Sequence, residues 1–582
     1  MFQIKWLWKY MGDKRHLFVF AMIISAVTSS MIIINPYLSK ILMDEVIILQ
    51  NTEKLIPVLM TMLGIQAFRV GMRYLMIVFL EINSQTMLDS IRGKLYHVFQ
   101  NQDHHFFNYM RTGDLMTRMT NDLDLVRHCA AWISMATVDS VFTFVSTFIF
   151  LMTLNWKLTL TLISITPVLI FLTRRISKKL RPLYINIREK LSELSTVTQE
   201  NIAGNRVVRA FAREDYEKEK FEEKNAKFRD AHLKAAFTSA SFQPISDFLA
   251  QSLTIITILM GGIFMMNGEL TPGIFTVFMS LTWALSNPLR TLSILLNDFQ
   301  RFFASCTMII EVFYAKPIIR DKQHTKKSDE RVKGDIRFEN VNLTINNTAI
   351  LKDISFEVKA GQKLGIMGTT GSGKTSLVNL LGRFFDRSSG SISLDNQDIQ
   401  SYTLHDLRSS ISYAMQDVFL FSDTVEGNIA YGAPDLPVEQ VYACATAADA
   451  DGFIRKMSQG YDTLIGERGV GLSGGQKQRL SLARAMAMRP SVLILDDTTS
   501  AVDMETEQYI QKQLRNLDFD CTMIMIAQRV SSIQDSDLIL IMDEGEIVER
   551  GTHTELLANK GFYYSIWALQ NDVEEGSDSI GS

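Results

Sequence analysis

Eight consecutive residues, Gly368-Thr369-Thr370-Gly371-Ser372-Gly373-Lys374-Thr375, fill every fixed position of the phosphate-loop pattern G-x-x-x-x-G-K-[ST]. The glycines let backbone N–H groups close around phosphates. Lys374 is placed to bridge a β- and a γ-phosphate, and the Thr375 hydroxyl to hold Mg²⁺. Further along, Leu472-Ser473-Gly474-Gly475-Gln476-Lys477-Gln478-Arg479 opens a helical run, so Ser473 and the N–H groups of Gly474 and Gly475 make a second anion site at a helix N-terminus. An apolar strand over 492–495 ends in Asp496-Asp497, where a carboxylate ligand for Mg²⁺ belongs, and Gln416 stands on a loop behind the strand 411–415.

Those residues need a scaffold. The run 364–367 reads as a buried strand and 376–381, beginning at Ser376, as a helix, the strand, loop and helix setting that a phosphate loop requires. At 582 residues the chain exceeds one hydrophobic core. A hydrophobic fraction of 47% with a mean hydropathy of +0.08 fits an all-α membrane domain joined to a soluble α/β domain. A net charge of -4 offers no footprint for nucleic acid. Cys129, Cys306, Cys444 and Cys521 match neither zinc nor disulfide spacing and read as reduced structural thiols, and the first apolar run is too long for a cleaved signal peptide.

Six stretches suit membrane-spanning helices: 17–37, 55–80, 130–154, 158–176, 245–266 and 274–296. Basic residues crowd the connections after the second and fourth spans, among them Arg92, Lys94, Arg111, Arg118, Lys178, Lys179 and Arg206, so both termini are expected in the cytoplasm of a multi-pass cell-membrane protein. Helical periodicity runs on through 83–100 and 180–234, predicting long cytoplasmic extensions with tips at Thr112-Gly113-Asp114-Leu115 and at 199–204. Arg69, Arg73, Asp139 and Asp247 fall inside spans, where a charge is costly; an internal ion pair or a water-lined position explains them as well as a substrate contact does. The expected organisation is a transmembrane domain over 1–315, a polar linker over 316–333, a nucleotide-binding domain over 334–570 and a disordered acidic tail over 571–582.

With LSGGQ behind a phosphate loop and six spans ahead of both, the chain resembles, over nearly all its length, a half-transporter of the ABC exporter family. The resemblance implies ATP and Mg²⁺ as cofactors. It implies two ATPase domains paired head to tail, each ATP held between the phosphate loop of one and the LSGGQ of the other. It implies Gln416 as the loop glutamine sensing Mg²⁺, Asp496 as the Mg²⁺-linked carboxylate, Ser500-Ala501-Val502-Asp503 as the loop touching the opposite site, and Gly466-Glu467-Arg468-Gly469 as the segment meeting the coupling helices.

Three positions depart from that pattern. The family's catalytic glutamate is here Asp497, its switch histidine is Gln528, and its adenine-stacking aromatic is Ile345. Aspartate is one methylene short, and a displacement of about 1 Å can lower a rate roughly 100-fold. Gln528 can hydrogen-bond a γ-phosphate but carries no positive charge. Ile345 removes a stacking contact and leaves the phosphate contacts, which weakens adenine binding. The expectation is a site that binds ATP and hydrolyses it poorly, beside an intact LSGGQ able to complete a working site on a second, different half-transporter. The chain then resembles the degenerate-site subunit of heterodimeric bacterial multidrug exporters, with membrane lipid and an amphiphilic small-molecule substrate as its other partners. A homodimer with two slow sites, a lipid or peptide flippase and a nucleotide-gated regulator are the alternatives; six spans exclude a soluble ABC protein.

Overall fold

A computed structural model describes residues 2–164, 166–321 and 331–571. The middle of the expected linker and the tail beyond residue 571 lie outside the described residues, as does the side chain of Asp247. The chain divides into two compact units, one of residues 1–101 and 111–315, the other joining Gln102–Met110 to the described residues from Lys316 onward.

The first unit is helical. Helix α1 (Phe2–Tyr10) buries Trp6, Leu7 and Tyr10, and the Trp6 and Tyr10 rings meet the Phe313 ring edge-on at 5.5 and 5.2 Å. It is followed by α2 (Arg15–Ser30) and α3 (Leu55–Gln100). Among the described residues, three helical stretches are long and apolar enough to cross a bilayer, Gly12–Ile48, Thr52–Gln100 and Thr112–Leu154, and Gln251–Met266 is a shorter apolar one. Helix also covers the other expected spans. These are Trp156–Ile163 with Thr166–Ala203, Glu214–Met266, and Pro272–Phe313, where Thr271 caps the N-terminus and Pro272 takes the first turn. The 46 residues of α3 and the 53 of Glu214–Met266 are far more than the roughly 20 a bilayer needs, so both run on well beyond it.

Two of the charged residues within the spans, Asp139 and Arg69, have hydrogen-bond partners. Asp139 Oδ1 accepts hydrogen bonds from Ser25 Oγ at 2.5 Å and Ser29 Oγ at 2.6 Å, and Arg69 Nε donates to the Thr28 carbonyl at 3.1 Å. Apolar clusters flank this polar patch, Ala21, Ile24, Met76, Leu80 and Met135 among them.

The turn regions correct one expectation. The first tip falls earlier in the chain than expected: the short helix α4 (His104–Tyr109) groups with the second unit, whereas Thr112–Leu115, the expected tip, starts a further helix of the first unit. Asp103 explains the difference. Its Oδ1 accepts the Phe106 N–H at 3.0 Å as an N-cap, and its Oδ2 accepts the N–H groups of Ile318 at 2.5 Å and Ile319 at 3.1 Å, while the His104 ring stands edge-on to Phe385 at 5.4 Å. Burial pushes the Asp103 carboxyl up, and the backbone hydrogen bonds together outweigh it and hold the group below its ordinary value. A carboxyl lowered by folding contributes stability that is present above the unfolded value and lost as pH falls through the folded one. Asp103→Ala is therefore expected to speed hydrogen exchange at Phe106, Ile318 and Ile319 at neutral pH, and acidification below about pH 4 is expected to do the same to the unsubstituted chain. At the second tip, Gly204 precedes α5 (Asn205–Ala210), as the glycine there suggests.

The second unit is built on two sheets. A mostly parallel six-stranded sheet and an antiparallel four-stranded sheet contain, in chain order, β1 (Ile336–Ile345), β2 (Thr348–Val358), β3 (Lys363–Gly368), β4 (Ser389–Leu394), β5 (Gln397–Asp398), β6 (Ile411–Ala414), β7 (Val492–Asp496), β8 (Thr522–Ile526), β9 (Leu538–Asp543) and β10 (Glu546–Gly551). The large sheet runs β10-β9-β3-β8-β7-β6 and the small one β2-β1-β4-β5. Every residue of β7 and β8 is buried, which is why both read as unbroken apolar runs rather than alternating ones. Helices α6 (Lys374–Leu381), α7 (Gly474–Ala487), α8 (Met504–Arg515) and α9 (Val530–Ile533) carry the functional candidates described next.

Candidate functional site

Strands β3, β7 and β8 lie side by side, so the residues following their C-terminal ends converge on one edge of the large sheet. After β3 the chain turns sharply at Gly368, where a Cβ would lie 2.0 Å from the Met542 carbonyl oxygen, and Gly373 enters α6 at φ 94°, where a side chain would be strained. Between them Ser372 is buried, Thr369 and Thr370 are exposed, and Gly371 takes a positive φ. Lys374 Nζ folds into this loop and donates to the carbonyls of Gly368 at 3.0 Å and Thr369 at 2.6 Å. Burial lowers the Lys374 pKa, and Asp496 and Asp497 oppose that shift. The loop is thus shaped as an anion cradle with a lysine inside it.

Thr375 Oγ1 donates to Asp496 Oδ2 at 2.8 Å, which places two hard oxygen donors together at the mouth of the cradle. Burial raises the Asp496 pKa, the Asp497 charge adds to the rise, and the Thr375 hydrogen bond and Lys374 oppose it. A carboxylate so disfavoured and so placed fits a divalent cation, which would neutralise it.

Asp497 follows directly at φ 50°, a left-handed conformation that aspartate tolerates better than most residues. Its N–H is bonded to the Ile526 carbonyl at 3.0 Å and its own carbonyl accepts from Gln478 Nε2 at 3.3 Å and Ser500 Oγ at 3.1 Å. Gln528, past the end of β8, donates from Nε2 to Asp497 Oδ2 at 2.9 Å. The two departures from the family pattern therefore bond to each other. Gln416 is exposed on the loop after β6, Ser376 is half-buried in the first turn of α6, and Ile345, the last residue of β1, packs partly buried against the core of the sheets.

The second anion site forms where expected. Ser473 caps α7: its Oγ accepts the Gln476 N–H at 3.3 Å and the Gln476 Oε1 accepts the Ser473 N–H at 2.9 Å, a reciprocal capping box. Gly474 and Gly475 follow, and a Cβ on Gly475 would meet the Ala501 carbonyl oxygen at 2.8 Å. Among the described residues, no hydrogen bond joins Ser473, Gly474, Gly475 or Gln476 to the phosphate loop of the same chain. Sequence reasoning passed over Gln478. Its amide donates to Ser500 Oγ at 3.1 Å and its Oε1 accepts the Ala501 N–H at 3.0 Å, tying α7 to the loop at Ser500. The available signal was a glutamine on the buried face of a helix, where an unpaired amide would be costly.

These sites mounted on one chain with a helical membrane unit define an ATP-driven membrane transporter. Residues 18–289 match the family model described as ABC transporter transmembrane region, and residues 351–500 match the model described as ABC transporter. The chain is 33% identical over 564 residues to the uncharacterized ABC transporter ATP-binding protein YknU of Bacillus subtilis, covering 96% of each chain. It is 32% identical to an ATP-dependent lipid A-core flippase of Syntrophus aciditrophicus over 96% of this chain and 92% of that one. It is also 32% identical to the putative multidrug export ATP-binding/permease protein YgaD of Bacillus subtilis, over 96% of this chain and 97% of that one. A solved bacterial Atm1-family ABC exporter with ATP bound superposes with a TM-score of 0.80 at 25% identity, over 97% of this chain and all of that one. The chain belongs to the ABC transporter family and has the fused membrane and ATPase architecture of its exporters.

Proposed function

We propose that this chain is one half of an ATP-driven exporter of amphiphilic compounds that works with a second, different half-transporter. Its transmembrane domain occupies 1–315 and its nucleotide-binding domain 334–570, with both termini cytoplasmic. The loop 368–375 with Ser376 holds the ATP phosphates, Ile345 lies against the adenine, and Thr375, Asp496 and Gln416 hold Mg²⁺. Held by these residues, Mg²⁺ would neutralise charge building on the phosphates. Lys374 leaves its carbonyl partners for the γ-phosphate, the larger charge.

The observation that carries the reading is the Gln528 to Asp497 hydrogen bond at 2.9 Å. Catalysis needs a carboxylate that reaches the attacking water and a polar switch on the γ-phosphate. Here the shortened carboxylate spends an oxygen on a neutral amide, so ATP binds and waits. The capped and accessible Ser473-Gly474-Gly475-Gln476 segment supplies the other face of a partner's site, where the turnover occurs. ATP binding closes the ATPase pair and favours the outward-open spans, and hydrolysis at the partner's site resets them.

The test is the composition of the complex. A tag on this chain in its native membrane is expected to bring down a second half-transporter, with glutamate and histidine at the positions matching Asp497 and Gln528, in a one-to-one ratio. Recovery of this chain alone as a homodimer with robust ATP turnover would refute the reading. A second reading, flipping of a lipid, is favoured by relatives named lipid A-core flippase. Translocation of labelled lipid in vesicles, set against uptake of a cationic dye, separates the two.

A further inference from the structure

At the opposite end of the large sheet from the phosphate loop, the N-terminal ends of β3 and β8 and the C-terminal part of α8 enclose a cavity of about 410 Å³, inside the range of about 300–1,000 Å³ typical of ligand sites. One wall is apolar, formed by Leu514, Leu517, Phe519 and Met523. Lys363, the first residue of β3, also lines the cavity, and its Nζ donates to Gln511 Oε1 at 3.2 Å and to the Ser532 carbonyl at 3.3 Å. Both partners are neutral, and an ammonium has a third N–H to give.

The charges around it are unequal in their commitments. Arg515 and Asp535 are bonded to each other as an ion pair, and Asp520 stands exposed in the lining. Asp537 accepts the Lys363 backbone N–H at 2.7 Å, and among the described residues the Lys363 ammonium forms no ion pair. Burial lowers its pKa, with Asp535 and Asp537 opposing and Arg515 adding to the fall. A half-buried cation whose direct hydrogen-bond partners are both neutral is costly, and a bound anion offsets that cost. Asp520 and Asp535 in the lining disfavour a phosphate or any other dianion through like-charge repulsion, and the apolar wall leaves room for hydrocarbon.

We propose that this cavity is a binding site for a small monocarboxylate with a short apolar tail, its carboxylate on the Lys363 ammonium and its tail against Leu514, Leu517, Phe519 and Met523. The site is separate from the nucleotide cradle. It lies beneath elements that run on to it: β3 leads into the phosphate loop, α8 begins after Asp503, and α9, which supplies the Ser532 carbonyl, follows Gln528.

The probe is hexanoate, titrated calorimetrically into the purified full chain in detergent, with hexan-1-ol as the neutral control. Two variants isolate the cavity from the membrane unit: Lys363→Met removes the cation, and Leu517→Trp fills the apolar side. Retained ATP binding certifies each as folded. Hexanoate is expected to bind saturably at one site per chain and at least about tenfold more tightly than hexan-1-ol, and each folded variant is expected to weaken it about tenfold or more. Absence of saturable binding, equal binding of the alcohol, or unchanged binding in either folded variant overturns the proposal.

Discussion

An Asp497→Glu, Gln528→His double variant of this chain, purified without a partner, is expected to turn over ATP roughly 100-fold faster than the unsubstituted chain. The argument rests on how firmly the two backbones are held. Asp497 is fixed through its N–H to Ile526, and through its carbonyl to Gln478 and Ser500. The Gln528 carbonyl accepts the Gln570 amide at 2.9 Å. With both backbones anchored, side-chain length and charge decide what reaches a water in line with the γ-phosphate. Glutamate restores the missing methylene; histidine removes the amide that occupies Asp497 Oδ2 and adds a group able to carry charge. Glutamate is less at ease than aspartate at φ 50°, so the variant is expected to melt slightly below the parent. Steady-state ATPase kinetics check the outcome: the gain should fall in kcat, with KM little changed because the phosphate loop is untouched. Unchanged turnover with ATP binding intact would show that these two residues do not limit hydrolysis in this chain.

The phosphate loop was legible in the sequence because its spacing is dictated by the backbone. Gly368 has a carbonyl oxygen where a Cβ would go, and Gly373 must enter a helix from a left-handed conformation, so no other residue type fits. The helix start at Ser473 was legible from its LSGGQ run, and the capping box that Ser473 and Gln476 close there is what the structure adds. What could not be read was anything settled by strand order. Asp497 and Gln528 stand 31 residues apart in the chain and meet because β7 and β8 are neighbours with Asp496 opposite Ile526. Each substitution was visible alone, and their hydrogen bond was not. Gln478 was passed over because its partners, Ser500 and Ala501, are distant in sequence. The first cytoplasmic tip was misplaced because Gly113 offered a turn, whereas the chain is held at Asp103, whose Ile318 and Ile319 partners lie more than 200 residues away.

In the proposed two-subunit transporter, Gly475→Asp in this chain is expected to reduce ATP turnover at least about 100-fold, the scale of losing a donor aimed at developing negative charge. Asp497→Ala in the same assembly is expected to leave turnover within about threefold, since a group that adds little to the transition state removes little when deleted. The contrast follows from geometry. Gly475 lies in the first turn of α7, where a Cβ meets the Ala501 carbonyl oxygen at 2.8 Å, and a carboxylate there sets negative charge against the phosphate that the helix N-terminus is built to receive. Ser473→Ala provides a milder variant that keeps the two glycines and loses only the hydroxyl. Each assembly is checked for intact pairing by size-exclusion chromatography, and turnover is then measured at saturating ATP. If Asp497→Ala silences the transporter as completely as Gly475→Asp does, this chain's own site carries the chemistry. A second subunit with its own glutamate would then not be needed to explain transport.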